Sequence, residues 1–444
     1  MKISGIIALL SLSAIPCWLL SRQYHEINDF PSAIVREWEV SATFDMSGLT
    51  KDIYPHFSTI FNTRWEHVIP DSAGWIDISR RRGINTSAYG AFGRTFFISG
   101  NDAQYKITVE YSEEIILFLN GKLIQQNRIN KENTHELIET ELSVKKGLNE
   151  LFIFIISQSS NWGFRVSSFP MMRSLDVDHT LTYILDETES DFLTPGSVLY
   201  DPLKELFYVA SYDYMYYTKG SPSGYISKMN SNAKILDHKW IGGLFAPTGM
   251  CLYKNKLYII VRNGLIVFDT RKGHYITQYD IINTEFLNDI AVDSHGRIYI
   301  SDASNDPSRP DIYILENDEV RPWYQSDQVS GINSIHVYKG KLLIGNNSEG
   351  LLQAIDLKDK HITTICSLGA GVIYGIKVDN NGNYLVSHWE GKIFRITPQG
   401  GITEIFDTRL EGYNAADFEF SKESNTLYIP TFLGDKVVAL KLNY

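Results

Sequence analysis

Cysteine is scarce: the 444 residues hold only Cys17, Cys251 and Cys366, and no two are spaced as CxxC. That excludes a zinc knuckle and a thioredoxin-type redox pair. Cys17 lies in an N-terminal apolar segment. Cys251 and Cys366 sit in strand-like text, "GMCLYKNKLYI" and "HITTICSLG", so two buried thiols are expected there rather than a disulfide. Basic charge is also short. Lys and Arg number 41 against 52 Asp and Glu, a net charge of −11, which excludes nucleic acid and polyanionic surfaces as partners. Helical periodicity of any length is missing from residues 37–169. Long apolar runs are missing beyond Leu20, so no later segment is expected to span a bilayer.

What is present begins with "MKISGIIALLSLSAIPCWLLSRQ", one Lys followed by an apolar run from Ile3 to Leu20. This is the pattern of a signal peptide, or of an uncleaved anchor, over residues 1–22. It predicts export to the periplasm, the medium or the outer side of a membrane, with membrane contact through this segment alone. The length calls for two domains. Tyr and Phe are abundant (26 and 22), which suits strands. Residues 37–169 read as an antiparallel β-sandwich of jelly-roll type. "KITVEYSEEIILFLNGKLIQQN" gives two strands and a hairpin turning at Asn120-Gly121. "TELSVKKGLNELFIFIISQSSNWGFRVSSF" gives three more strands, with turns at Lys146-Gly147 and Asn161-Trp162-Gly163. "PMMRSLDVDH" (Pro170 to His179) reads as a linker.

From residue 178 to 444 one phrase recurs. "SVLYDPLKELFYVAS", "GMCLYKNKLYIIV", "DIAVDSHGRIYIS", "SIHVYKGKLLIGN", "GIKVDNNGNYLVS" and "FEFSKESNTLYIP" each read as an apolar strand, a turn rich in Gly, Asn or Lys, and a second apolar strand. The residue before the turn falls at Asp201, Tyr253, Asp293, Tyr338, Asp379 and Ser421, at spacings of 52, 40, 45, 41 and 42. A four-stranded period of this length predicts the blades of a β-propeller, six in all. The last repeat has text for three strands. "HTLTYILDE" (His179 to Glu187) is expected to supply the fourth and close the ring, removing its open edges. The fold class expected is all-β throughout.

Two resemblances go with this reading. "FLNGKLI", "KKGLNELFI" and "NWGFRV" resemble galactose-binding-like jelly-roll domains, which implies either a docking role or sugar binding for residues 37–169. "PGSVLYDP", "APTGMCLYKNKLYI", "FLNDIAVDSHGRIYISD", "GINSIHVYKGKLLIGN", "YGIKVDNNGNYLVSHWEGKIFRI" and "AADFEFSKESNTLYIPTF" resemble the senescence marker protein/gluconolactonase family of six-bladed propellers. That family includes calcium-dependent or zinc-dependent lactonases, whose site lies at one mouth of the central channel. Five residues before each turn position stand Gly196, Thr248, Asn288, Asn333, Tyr374 and Ala416, the last followed by Asp417. The resemblance implies a metal held by an acid in the first blade, Asn in the third and fourth, and Asp in the fifth, the last also serving as general base. Asn288 and Asn333 match the two Asn positions. Gly196 and Tyr374 stand where the acids belong.

A hard divalent cation wants carboxylate oxygens, and two neutral amides do not offset the cost of stripping its water. A phenol, with a pKa of about 10, is no general base at neutral pH. Metal-polarised attack on a lactone by base-activated water therefore lacks both parts at their usual positions. Asp417 is the candidate to restore an ion with Asn288 and Asn333, and Asp417 and His388 are the catalytic candidates. Asp289, which by alternation points into the blade, reads as a turn or inter-blade hydrogen-bond acceptor. Asp213, Asp302 and Glu390 are further acids near strand starts or loops. Trp389 and "SYDYMYYTKG" suit stacking on a sugar or covering a partner, or plain loop packing. Two functions are expected from these residues. One is a binding protein that takes a small sugar-like or lactone ligand, or an envelope protein, at Thr248, Asn288, Asn333 and Tyr374. The other is a metal-dependent lactonase or esterase.

Overall fold

A computed structural model of the chain describes residues 38–45, 65–71, 73–79, 89–128, 135–157, 162–167, 176–178, 180, 182–188, 192–213, 222–326, 329, 331–408 and 413–443. The N-terminal segment 1–37 and most of the Tyr-rich stretch, residues 214–221, lie outside these. Among the described residues the regular elements are strands, apart from one short 3-10 turn at Phe432–Gly434. No helix among them is long and apolar enough to cross a membrane.

The repeat becomes a set of four-stranded antiparallel sheets. Their first strands are Pro195–Asp201, Met250–Tyr253, Leu287–Val292, Ile332–Tyr338, Ile373–Val378 and Glu419–Ser421. Each of these neighbours the next, and the sixth neighbours the first, so the sheets close on themselves as a β-propeller. Their turns follow from side-chain chemistry. In "DSHGR", Asp293 accepts the main-chain N–H of His295 and Arg297 at 2.9 and 3.0 Å while Gly296 takes a φ of 84°. "DNNGN" repeats this, Asp379 capping Asn381 and Asn383 at 2.9 and 2.8 Å around Gly382. The second strands are sandwiched between neighbouring sheets. Ile298–Asp302 is accordingly buried at every residue, without alternation. The strand drawn from upstream does complete the sixth sheet: Thr182–Glu187 pairs antiparallel with Lys436–Leu442. Asp176–Val177, inside the expected linker, pairs in parallel with Ile402–Asp407 of the fifth sheet. Cys251 and Cys366 are free, buried thiols.

The N-terminal region is two sheets around one core. One carries Glu114–Leu119, Gly147–Ser157, Tyr89–Ser99 and Trp38–Ser41; the other carries Ala103–Ser112, His135–Val144 and Gly163–Ser167. Ile115, Leu117 and Leu119 face the shared core with Trp38, Tyr111, Trp162 and Phe164. Ile116 and Phe118, one step out of phase, join Phe92, Phe152 and Phe154 on the opposite face. Each such side chain removed from water stabilises the fold by ~1.5–3 kcal/mol. Asn120 and Gly121 both take positive φ, 49° and 76°, as a tight hairpin demands. The chain turns at Lys146-Gly147, and the strands on either side of it pair in different sheets.

Gly147 is also where the two regions meet. Gly147 and Leu148 pair in parallel with Ser367 and Leu368 at the outer edge of the fourth propeller sheet. Leu148 is buried among Cys366, Leu368, Ile373 and Phe394. Beside that seam lies Arg94, 1% exposed. Its Nε donates to Glu39 at 2.8 Å and its Nη1 donates to Glu390 of the propeller at 2.9 Å, with Glu150 at 3.7 Å. The guanidinium also stacks 4.0 Å from the Trp65 ring. Lys392 and Glu404, an ion pair at 2.9 Å, extend the cluster into the fifth sheet.

Candidate functional site at the propeller mouth

The first strands all begin at one end of the propeller, and the predicted residues gather there. They form a belt in which each sheet donates a hydrogen bond to the next. Ser197 Oγ donates to Thr248 O at 2.5 Å, and Thr248 Oγ1 to Leu287 O at 3.3 Å. Asn288 Nδ2 donates to Asn333 O at 3.0 Å, and Asn333 Nδ2 to Ile373 O at 3.1 Å. Ser387 Oγ donates to Ala416 O at 2.9 Å, and Asp417 N closes the circle on Gly196 O at 3.2 Å. The amides of Asn288 and Asn333 are thus engaged with main chain. Asn288 Oδ1 is buried without a hydrogen-bond partner.

The acids divide in the same way. Asp289 accepts the N–H of Ile290 and, across the sheet boundary, of Ile335, both at 2.7 Å. Asp302 accepts those of Phe286 and Glu285 at 2.8 and 3.0 Å. Glu390 holds Arg94. Asp417 is turned to a lysine: its Oδ1 lies 3.8 Å from Lys377 Nζ, an ion pair too long for a hydrogen bond. Burial pushes the Asp417 and Asp289 carboxyls up, and the Lys377 ammonium partly opposes this in both.

Tyr374 stacks on Trp389, ring centroids 4.8 Å apart, and Trp389 packs on Phe432 at 5.3 Å. Tyr212 completes this patch. Asn414 Nδ2 anchors the Trp389 loop through its carbonyl at 3.0 Å. Burial, then Asp417 and Asp289, push the Tyr374 phenol further above its ordinary value, away from any role as a base. His388 is buried away from the mouth opening. A Cβ on Gly371 would lie 2.2 Å from its Cε1, and neither ring nitrogen has a partner of full hydrogen-bond geometry. Burial lowers its pKa to about 4. Gly196, in contrast, faces open space: a Cβ there would meet nothing within 4 Å.

Asn288, Asn333 and Asp417 do not fit a divalent cation. The set offers one carboxylate, already facing an ammonium that repels a second cation, and two amide oxygens that carry no charge. Among the described residues no three of His, Cys, Asp and Glu are placed to hold a metal. Sequence reasoning missed Lys377, a single cation in an otherwise apolar strand, "YGIKV". It also missed the hydroxyls of Ser301 and Ser387. Both end second strands and donate to the Asn333 and Ala416 carbonyls of the next sheet, at 3.1 and 2.9 Å. Their recurrence in "YIS" and "YLVS" was the available signal.

Among solved structures, the chain is similar to the crystal structure of the WD40 β-propeller domain of Doa1. The identity is 15% and the TM-score 0.42, over 56% of this chain and 78% of that one. No curated protein matches the sequence. The family described as SMP-30/Gluconolactonase/LRE-like region matches residues 231–432, just under half of the chain and most of the propeller.

Proposed function

We propose that this chain is an exported, gluconolactonase-like, six-bladed propeller that binds a small sugar-like ligand at its mouth, with a degenerate metal site and no hydrolytic centre. The N-terminal sandwich, read as a jelly roll, serves as a docking domain that braces the fourth and fifth blades. The observation that carries the binding reading is the pairing of open space at Gly196 with the Tyr374–Trp389–Phe432 aromatic patch at the same mouth. Aromatic faces beside an unfilled recess suit the apolar face of a pyranose. The buried, unpartnered Asn288 Oδ1 offers an acceptor for a hydroxyl. Loss of catalysis is supported by the donor set. The Asn oxygens bring no charge to a metal, Asp417 faces Lys377, and the phenol of Tyr374 stays protonated.

The test is a glycan array with the full chain and with Trp389→Ala, run beside a panel of sugar lactones and esters with and without calcium or zinc. Retained glycans that Trp389→Ala releases, with no turnover, are expected. Metal-dependent hydrolysis would establish the lactonase alternative, and a blank array would remove the sugar reading in favour of a protein ligand.

A further inference from the structure

Lys377, at the propeller centre, is accounted for by neither the resemblance nor the belt. It lies three residues beyond Tyr374, on the fifth sheet's first strand, Ile373–Val378. Its side chain is 17% exposed, and the Asp417 carboxylate 3.8 Å away is 10% exposed. Asp417 belongs to the sixth sheet and bridges to Ser197 of the first. Asp289, on the third sheet, and Glu419, on the sixth, also act electrostatically on the ammonium. The Asp289 carboxylate and the Asp417 backbone are both held in place. Asp289 is pinned by two main-chain N–H groups, and Asp417 is held by main-chain bonds on both sides: its N–H donates to Gly196 O and its carbonyl accepts Val198 N–H.

Carboxylates fixed by backbone from opposite parts of a ring need positive charge at the centre. A buried carboxylate left alone is costly. A divalent cation would supply that charge with six to eight oxygens around it, and those oxygens are not assembled here. An ammonium supplies it with one charge, three donors and no demand for an oxygen cage.

We propose that Lys377 stands in for the divalent cation, so that this propeller is closed around a cation of its own and takes none from solvent. The proposal rests on the reading of the mouth as a metal site that has lost its acids. It adds what replaced the metal. Lys377 acts as a positioning residue, holding Asp417 and, through it, the junction between the sixth and first sheets.

The experiment uses the full chain after EDTA treatment, titrated calorimetrically with calcium and zinc chloride and followed by thermal unfolding. The wild type should take up neither ion and show no shift in Tm. Lys377→Met should lower Tm by roughly 5–10 °C. Adding Asp417→Asn to that variant should recover most of the loss, because the unpaired carboxylate goes with it. Millimolar ethylammonium should restore part of the Tm of Lys377→Ala. Stoichiometric calcium or zinc uptake by the wild type would overturn the proposal, as would an unchanged Tm in Lys377→Met. If Lys377→Met does not fold, the wild-type titration and the stability of the double variant decide. Metal uptake together with retained glycan binding would sink this inference alone. A blank glycan array with no metal uptake would sink the binding reading and leave this one standing.

Discussion

Two places in this molecule set one buried cation among several carboxylates, and they are built differently. At the seam between the sandwich and the propeller, Arg94 makes hydrogen bonds to Glu39 and Glu390 at 2.8 and 2.9 Å and stacks on Trp65. At the propeller centre, Lys377 reaches Asp417 only at 3.8 Å. A guanidinium is a planar fork that fixes partners by direction, while an ammonium is a compact charge that needs no register. The seam joins two separately folded sheets and needs direction. The centre joins sheets that the belt has already placed and needs only charge. In both places the charges join one sheet to another.

The largest effect is expected from breaking the seam. Arg94→Met removes the cation that hydrogen-bonds Glu39 and Glu390 and leaves Lys392 as the nearest positive charge to Glu150. Removing one partner of a buried pair costs ~3–5 kcal/mol, more than the exposed ion pairs of either region would. Urea unfolding should show that loss and a separation of the sandwich transition from the propeller transition. Arg94→Lys should not repair it, because an ammonium cannot hold Glu39 and Glu390 in two directions. Full rescue by Lys would show that the seam, like the centre, asks only for charge.

The two sites also differ in their answer to acid. His388 sits beside the seam, with its pKa lowered from 6.5 to about 4 by burial, an effect that Glu390 opposes. The unfolded chain therefore binds this proton first. His388 contributes stability that is complete above pH 6.5 and is lost as pH falls through 4. Integrated over that window the contribution is about 3 kcal/mol. His388→Gln should flatten the acid limb of the stability profile by that share, leaving the share of His336, lowered to about 3 by burial. Glu150 has the opposite sign. Burial raises its carboxyl, so its contribution is complete below its ordinary value of 4.5 and is lost as pH rises. An acid limb unchanged in His388→Gln would place its proton uptake elsewhere.

The repeats were legible because they are periodic and apolar. Alternation, turn residues and the count of strands all lie along the chain, and so does the borrowed strand Thr182–Glu187. The belt was half legible: Asn288 and Asn333 stand at equivalent positions, yet nothing local tells a ligand amide from one bonded to the next sheet. The seam and the centre were not legible. Arg94 meets Glu390 across 296 residues, and Lys377 meets Asp417 only when the fifth and sixth sheets pack together. The Lys146-Gly147 turn was legible as a turn, but a Gly at positive φ does not tell to which sheet the next strand belongs.

The smallest effect is the one that isolates the mouth from the architecture. Gly371 and Gly196 both stand near the belt, and a methyl tells them apart. At Gly371 the backbone has a φ of +133° and the new Cβ would lie 2.2 Å from His388. Gly371→Ala should therefore destabilise by at least about 1 kcal/mol. At Gly196 the φ is outside the left-handed region and the new Cβ meets nothing within 4 Å. Gly196→Ala should leave stability unchanged, or raise it by up to about 1 kcal/mol by restricting the unfolded chain. Its glycan binding should fall all the same, because the methyl enters the recess proposed for the sugar. Equal binding by wild type and Gly196→Ala, with Trp389→Ala still inactive, would move the ligand off Gly196 and onto the aromatic patch alone.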